Sequence, residues 1–191
     1  MFLQQCLNGV ILGSIYALIA LGYNLVLGIL NRLNLAHGEV FMMGAFIGLT
    51  FALWKMPLWA VFPTAMLFAG LLGILVERTC FAPLRKAHLL APLVSTIALG
   101  TVLQNTATNI WGSYARVFPR DYLTGSTFNL GPLVISTTQI AILIIAFLLM
   151  VGVHAFIHRT KVGLAMRAVA EDSDNSSLMG VNNKTIILWT F

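Results

Sequence analysis

Side chains capable of chemistry are scarce in this 191-residue sequence, and the densest group is the run Asn31-Arg32-Leu33-Asn34-Leu35-Ala36-His37-Gly38-Glu39. It gathers an arginine, two asparagines, a histidine and a glutamate between two long apolar runs. A histidine and a carboxylate can share a metal, but His37 and Glu39 lie two apart and point to different faces of a helix. His154 and His158 do share a face at i, i+4, yet no third ligand accompanies them, so no metal is expected. Cys6 and Cys80 are far apart and define no disulfide framework, which leaves them as packing residues. No G-x-x-x-x-G-K-[ST] phosphate loop occurs, and no cluster of catalytic polar residues stands out. What remains is a scatter of uncharged polar residues in apolar surroundings: Asn8, Ser14, Asn24, Gln104, Asn105 and Thr108. Such groups either line a path for a polar solute or hydrogen-bond one helix to another.

The elements that must position these residues follow from composition. The chain is 59% hydrophobic and 9% charged, against roughly 25% charged residues in soluble domains. Uncharged stretches cover 1–31, 40–54, 56–76, 89–115 and 122–153. A helix needs about 20 apolar residues to cross the hydrocarbon, and backbone groups in lipid must be satisfied internally, so these runs are predicted as helices. They are apolar on every face, which excludes the alternating strands of an outer-membrane barrel. The expected fold class is all-α: a polytopic integral membrane protein with five complete spans, near 5–30, 35–54, 58–76, 89–111 and 134–157, and the start of a sixth. The first run has no basic leader and continues too long for a signal peptide, so it is read as a retained span. The last apolar run begins near Thr185 and stops at Phe191, so the sequence looks cut off within a single transmembrane domain, 1–191.

A formal charge of +5 invites a nucleic-acid reading, but the charges are confined to short segments between spans. One alternating set of loops holds Arg32, then Arg78, Arg85 and Lys86, then Arg159, Lys161, Arg167 and Lys184. The other set holds Lys55, Arg116 and Arg120. The excess of basic residues marks the first set as cytoplasmic and places the amino terminus outside.

The 40–54 run is too short to cross alone, so the second span is expected to begin near Leu35, with His37 and Glu39 in its first turns. Glutamate is too short to snorkel, so Glu39 should face protein, a watery cavity or the cytoplasmic boundary. Asn34 is the expected N-cap, and Glu39 suits the positive start of the helix. His37 and Glu39 are expected to satisfy one another or the helix-end amides, with a direct place on a solute path as the alternative. Gly9, Gly13 and Ala17 in the first span, and Gly44 and Gly48 in the second, have the spacing that lets helices approach closely in lipid.

The stretch GVILGSIYALIALGYNLVLGILNRLNLAHGEVFMMGAF resembles the start of the branched-chain amino acid permeases of ATP-binding-cassette transporters, the leucine/isoleucine/valine uptake family. The run Asn34, Ala36, His37, Gly38, Glu39 is the most specific part, with Gly44 and Ala45 beyond it. The resemblance continues through STIALGTVLQNTATNIWG and TKVGLAMRAVAEDSDNSSLMGVN, and covers the chain as the first two-thirds of such a permease.

It implies that the 158–184 segment, with Thr160, Gly163, Arg167, Ala168, Ala170 and Gly180, docks on an ATPase subunit. Asp174, Asn175 and Ser176 fall where the family pattern has Glu-Ala-Ala, and none of the three matches. It also implies a bacterial inner-membrane location, a second homologous permease subunit, an extracytoplasmic substrate-binding protein, and ATP hydrolysis on the partner, with no cofactor on this chain. A relative carrying urea or short amides, a passive channel and a membrane-embedded enzyme are the competing readings. Gln104, Asn105 and Thr108 are the candidate path residues.

Overall fold

In the computed structural model, residues 2–85, 87–88, 90–119, 127–130 and 133–191 are described. Lys86, Leu89 and Arg120, which figure in the charge count and span boundaries, lie outside them. Eight α-helices and a hairpin make up the described chain: α1 Phe2–Leu30, α2 His37–Leu53, α3 Leu58–Val76, α4 Leu90–Trp111, β1 Thr127–Leu130, β2 Leu133–Ser136, α5 Thr137–Arg159, α6 Lys161–Glu171, α7 Ser173–Leu178 and α8 Asn183–Thr190. A π-helical turn, Glu77–Phe81, extends α3. Four helices are long and apolar enough to cross a membrane, and α2, with 17 residues, is the shorter fifth. Large apolar side chains such as Phe62, Leu67, Phe147 and Leu148 stay exposed on their outer faces, as lipid contact requires.

The sequence places the last span from 134, but the structure gives 133–136 to β2, which pairs antiparallel with β1, Val134 opposite Asn129. Proximity to α1 makes the strand worthwhile: the Gln4 side chain donates to the Val134 carbonyl at 3.0 Å and accepts from its N–H at 2.9 Å. Ser136 then caps α5 in a reciprocal box with Gln139, so the helix starts at Thr137.

The α2–α3 hairpin is the tightest pairing. A Cβ placed on Gly44 would sit 3.5 Å from the Ala69 methyl, and one on Gly48 would sit 3.6 Å from that of Ala65, so the small residues do bring these helices together. Gly9 and Gly13 of α1 meet nothing within 4 Å among the described residues. Among the described residues, these two glycines bring no helix close.

The second span differs most from expectation. It starts at His37, two residues beyond Leu35 and with His37 and Glu39 in its first turn as expected, but its N-cap is Ala36 without a side-chain cap. Asn34 instead folds over its own chain, its Oδ1 accepting from the Ala36 N–H at 3.1 Å. Asn31, at φ 51°, ends α1 and turns the chain back on itself. Residues 31–36 then descend into the bundle. His37 packs against Gly22, eight residues short of the end of α1, which is about 12 Å along the helix. Glu39 touches Gly100, ten residues into α4, about 15 Å from its start. The beginning of α2 therefore lies deep in the bundle, and only six residues of irregular backbone reach it.

Irregular backbone at that depth survives only where protein or a watery cavity surrounds it. The Arg32 guanidinium donates to the Leu84 and Arg85 carbonyls, and the Leu35 N–H donates to Thr96 Oγ1. Ala36, Val76, Cys80 and Phe81 form the core beneath the loop, with Phe191 against Phe81. Arg85 also pairs with the buried carboxylate of Glu77.

Candidate functional site

Two regions concentrate the polar residues. At the deep end of α2, consecutive residues diverge to different neighbours. The His37 ring lies against Gly22 of α1 and meets Tyr23 edge-on at 6.2 Å. The Glu39 carboxylate turns the other way and accepts from Gln104 Nε2 of α4 at 2.6 Å. The two do not satisfy each other, contrary to expectation, because positions two apart on a helix face about 200° apart. Gly38 points to neither neighbour and has open space where a side chain would be.

Of the other expected path residues, Asn105 Nδ2 donates to the Thr101 carbonyl at 2.8 Å and Thr108 Oγ1 to the Gln104 carbonyl at 2.9 Å. Ser14 likewise donates to Ile11 within α1. These bonds run along their own helices. Gln104 alone among them crosses between helices. Gln104, Asn105 and Thr108 nevertheless share one exposed face of α4 with Thr101, a polar strip on an otherwise apolar exterior.

A cavity of about 290 Å³ opens between α1 and the start of α2, lined by Tyr16, Tyr23, Asn24, Asn34, His37 and Gly38. Tyr16, Tyr23 and Asn24 make no hydrogen bond among the described residues. Farther along α2, Phe41, Ala45, Phe46 and Leu49 line a larger open hollow of about 460 Å³, with Tyr114, Arg116 and Phe118 at its rim. Residue spacing alone does not reveal either hollow, because both depend on how deep α2 sits.

The second region is the basic end of the bundle. Thr160 caps α6, its Oγ1 accepting from the Gly163 N–H at 3.0 Å. Met166 and Val169 turn inward and pack with Ile186 of α8. Gly163 belongs to this inward face. A methyl group there would overlap the carbonyls of Phe156 and Ile157, so glycine is required for α6 to approach α5. The opposite face is free: Leu164, Arg167, Ala168, Ala170 and Glu171 are exposed, as are Leu178 and Met179 at 84% and 88%. Arg167 has no partner among the described residues.

Where the resemblance predicts Glu-Ala-Ala, the polar side chains work locally. Asn175 donates to the Asp172 carboxylate at 2.6 Å, and Ser176 is buried against Asn183 at 3.1 Å. Gly180, at φ 86°, makes the turn out of α7 that an L side chain would strain.

These features define a polytopic α-helical membrane protein whose polar residues line its helix faces and most of whose charge lies outside the long apolar helices. Residues 5–191 match the family described as branched-chain amino acid transport system / permease component, and the chain belongs to that family. It is 38% identical to the high-affinity branched-chain amino acid transport system permease protein BraD of Pseudomonas aeruginosa, and 38% identical to LivH proteins of the same description from Salmonella typhimurium and Escherichia coli. Each comparison covers 100% of this chain and 66% of the relative. A probable branched-chain amino acid transport permease protein LivH of Methanocaldococcus jannaschii is 25% identical over 92% of this chain and 57% of the relative. No solved structure matches.

Proposed function

We propose that this chain is a permease subunit of an ATP-binding-cassette importer for branched-chain amino acids, working with a separate ATPase, a second permease subunit and an extracytoplasmic binding protein. The observation that carries the reading is the family match over 5–191. The geometry adds a reason for the division of labour. No phosphate loop occurs in the sequence, so ATP has to be hydrolysed elsewhere. The basic end presents a rigid helical platform, α6–α8, tied to the ends of α1 and α5. A push on α6 would therefore be felt by two spans, as coupling to a two-state permease needs.

In this reading the basic end faces the cytoplasm and the amino terminus lies outside, in the bacterial inner membrane. The exposed face of α6, with Leu164, Arg167 and Ala168, and the tip at Leu178–Gly180 form the ATPase contact. Gly163 and Thr160 support it from behind. In vesicles holding the assembled transporter, Arg167→Glu should lower both co-purification of the ATPase and ATP-driven leucine uptake at least severalfold, leaving the permease itself abundant. Unchanged co-purification and uptake would remove α6 from the contact. Uptake that persists without ATP would favour a passive channel.

A further inference from the structure

The beginning of α2 is an N-terminus without a capping side chain, deep in the bundle, and two donors there are unused. Gly38 N–H makes no hydrogen bond among the described residues, whereas its neighbours do: His37 N–H reaches the Asn34 carbonyl, and Glu39 and Val40 N–H both reach that of Ala36. The second donor is independent of the helix. Asn34 is 4% exposed and lines the 290 Å³ cavity, and its only side-chain bond is accepted by Oδ1, so the Nδ2 amide is left over. Partial positive charge at a helix start adds to them. Gly38 keeps the approach clear because it has no Cβ.

We propose that the Gly38 N–H and the Asn34 amide form a subsite for the carboxylate of an α-amino acid with an apolar side chain, in the cavity between α1 and the start of α2. The ligand class follows from what surrounds these donors. Glu39 lies one residue on, held by Gln104, and its charge disfavours a bare anion but not a zwitterion. The 290 Å³ cavity that Asn34 and Gly38 line is also walled by Tyr16, Ile19 and Ala20, which suits an aliphatic side chain. The inference rests on the amino-acid transport reading and assigns the end of the ligand that this chain holds.

The test is direct binding of radiolabelled leucine to this chain held in lipid nanodiscs, with unlabelled leucine and leucinol as competitors. Leucinol has the same side chain and ammonium but no carboxylate. Leucine should compete at least about tenfold better than leucinol, the size expected for losing a charge-assisted hydrogen bond. Asn34→Asp keeps the acceptor for the Ala36 N–H and replaces the donor by an oxygen, so it should weaken leucine but not leucinol. Gly38→Ala adds a methyl that meets nothing in the fold and should show the same selective loss. Equal competition by the two ligands, no leucine binding, or parental selectivity in both variants would overturn the subsite. Uptake by the assembled transporter is read separately: ATP-driven leucine uptake without leucine–leucinol selectivity discards the subsite alone. Selectivity without such uptake discards the transport reading alone.

Discussion

At the scale of single residues, the pairing of Glu39 with Gln104 shows how a costly carboxylate is kept inside an apolar bundle. The glutamate is half-buried, and its bond to Gln104 spans 65 positions of sequence. Hydrogen bonds between membrane helices contribute only about 1 kcal/mol on average. Losing one partner costs more than losing both, since a buried donor or acceptor is then left unmade. Glu39→Leu and Gln104→Leu should therefore each destabilise the chain in detergent, and the double variant should fall short of their sum by roughly 1 kcal/mol. Additive losses in an unfolding cycle would mean that the bond contributes nothing. Sequence reading identifies both residues as polar groups that must avoid lipid. It does not pair them, because the pairing depends on the depth of α2, which no spacing encodes. The divergence of His37 and Glu39, by contrast, follows from their spacing of two along the helix.

Among the elements, α6 carries the clearest test. Its apolar residues are legible in the sequence as a face, but their partner is not. Met166 and Val169 pack on α8 within the chain, and the free surface is the Leu164–Arg167–Ala168 side. Gly163 looks from its spacing like an allowance for a close partner. That partner is the end of α5. In an exposed helix interior, replacing glycine by alanine stabilises by up to about 1 kcal/mol. Here the methyl would overlap two carbonyls, and such overpacking costs about 1–3 kcal/mol. Gly163→Ala should thus loosen α6 in spite of its better helix propensity, and trypsin should cut faster at Lys161 and Arg167 in membranes exposing the basic end. Cleavage at the parental rate would show that α5 yields and that the glycine is incidental. The spans themselves are legible because hydropathy reports lipid directly. The β1–β2 hairpin is not, since its residues continue an uncharged run and the strand is held by pairing and by the distant Gln4 side chain.

For the whole molecule, the long helices alternate direction, so every connecting segment is assigned a side once one is known. The end bearing Arg32, Arg78, Arg85, Arg159, Lys161, Arg167 and Lys184 also carries α6–α8, whereas Lys55 and Arg116 mark the other. That asymmetry favours the first end in the cytoplasm. The two ends can be told apart at residues that are open to solvent in the fold: Tyr114 beyond α4, 86% exposed, and Met179 after α7, 88% exposed. Cys6 is exposed and would be replaced by serine first, while Cys80 is buried and can stay. A membrane-impermeant thiol reagent added to intact cells should then label Tyr114→Cys at once and Met179→Cys only after the membrane is opened. Changing Arg116 to Gln should not reverse the pattern, because one charge cannot outweigh the basic set on the opposite side. Labelling of Met179→Cys in intact cells would invert the topology. It would place α6–α8 outside, away from any cytoplasmic ATPase, and the coupling role proposed for Arg167 would fall with it.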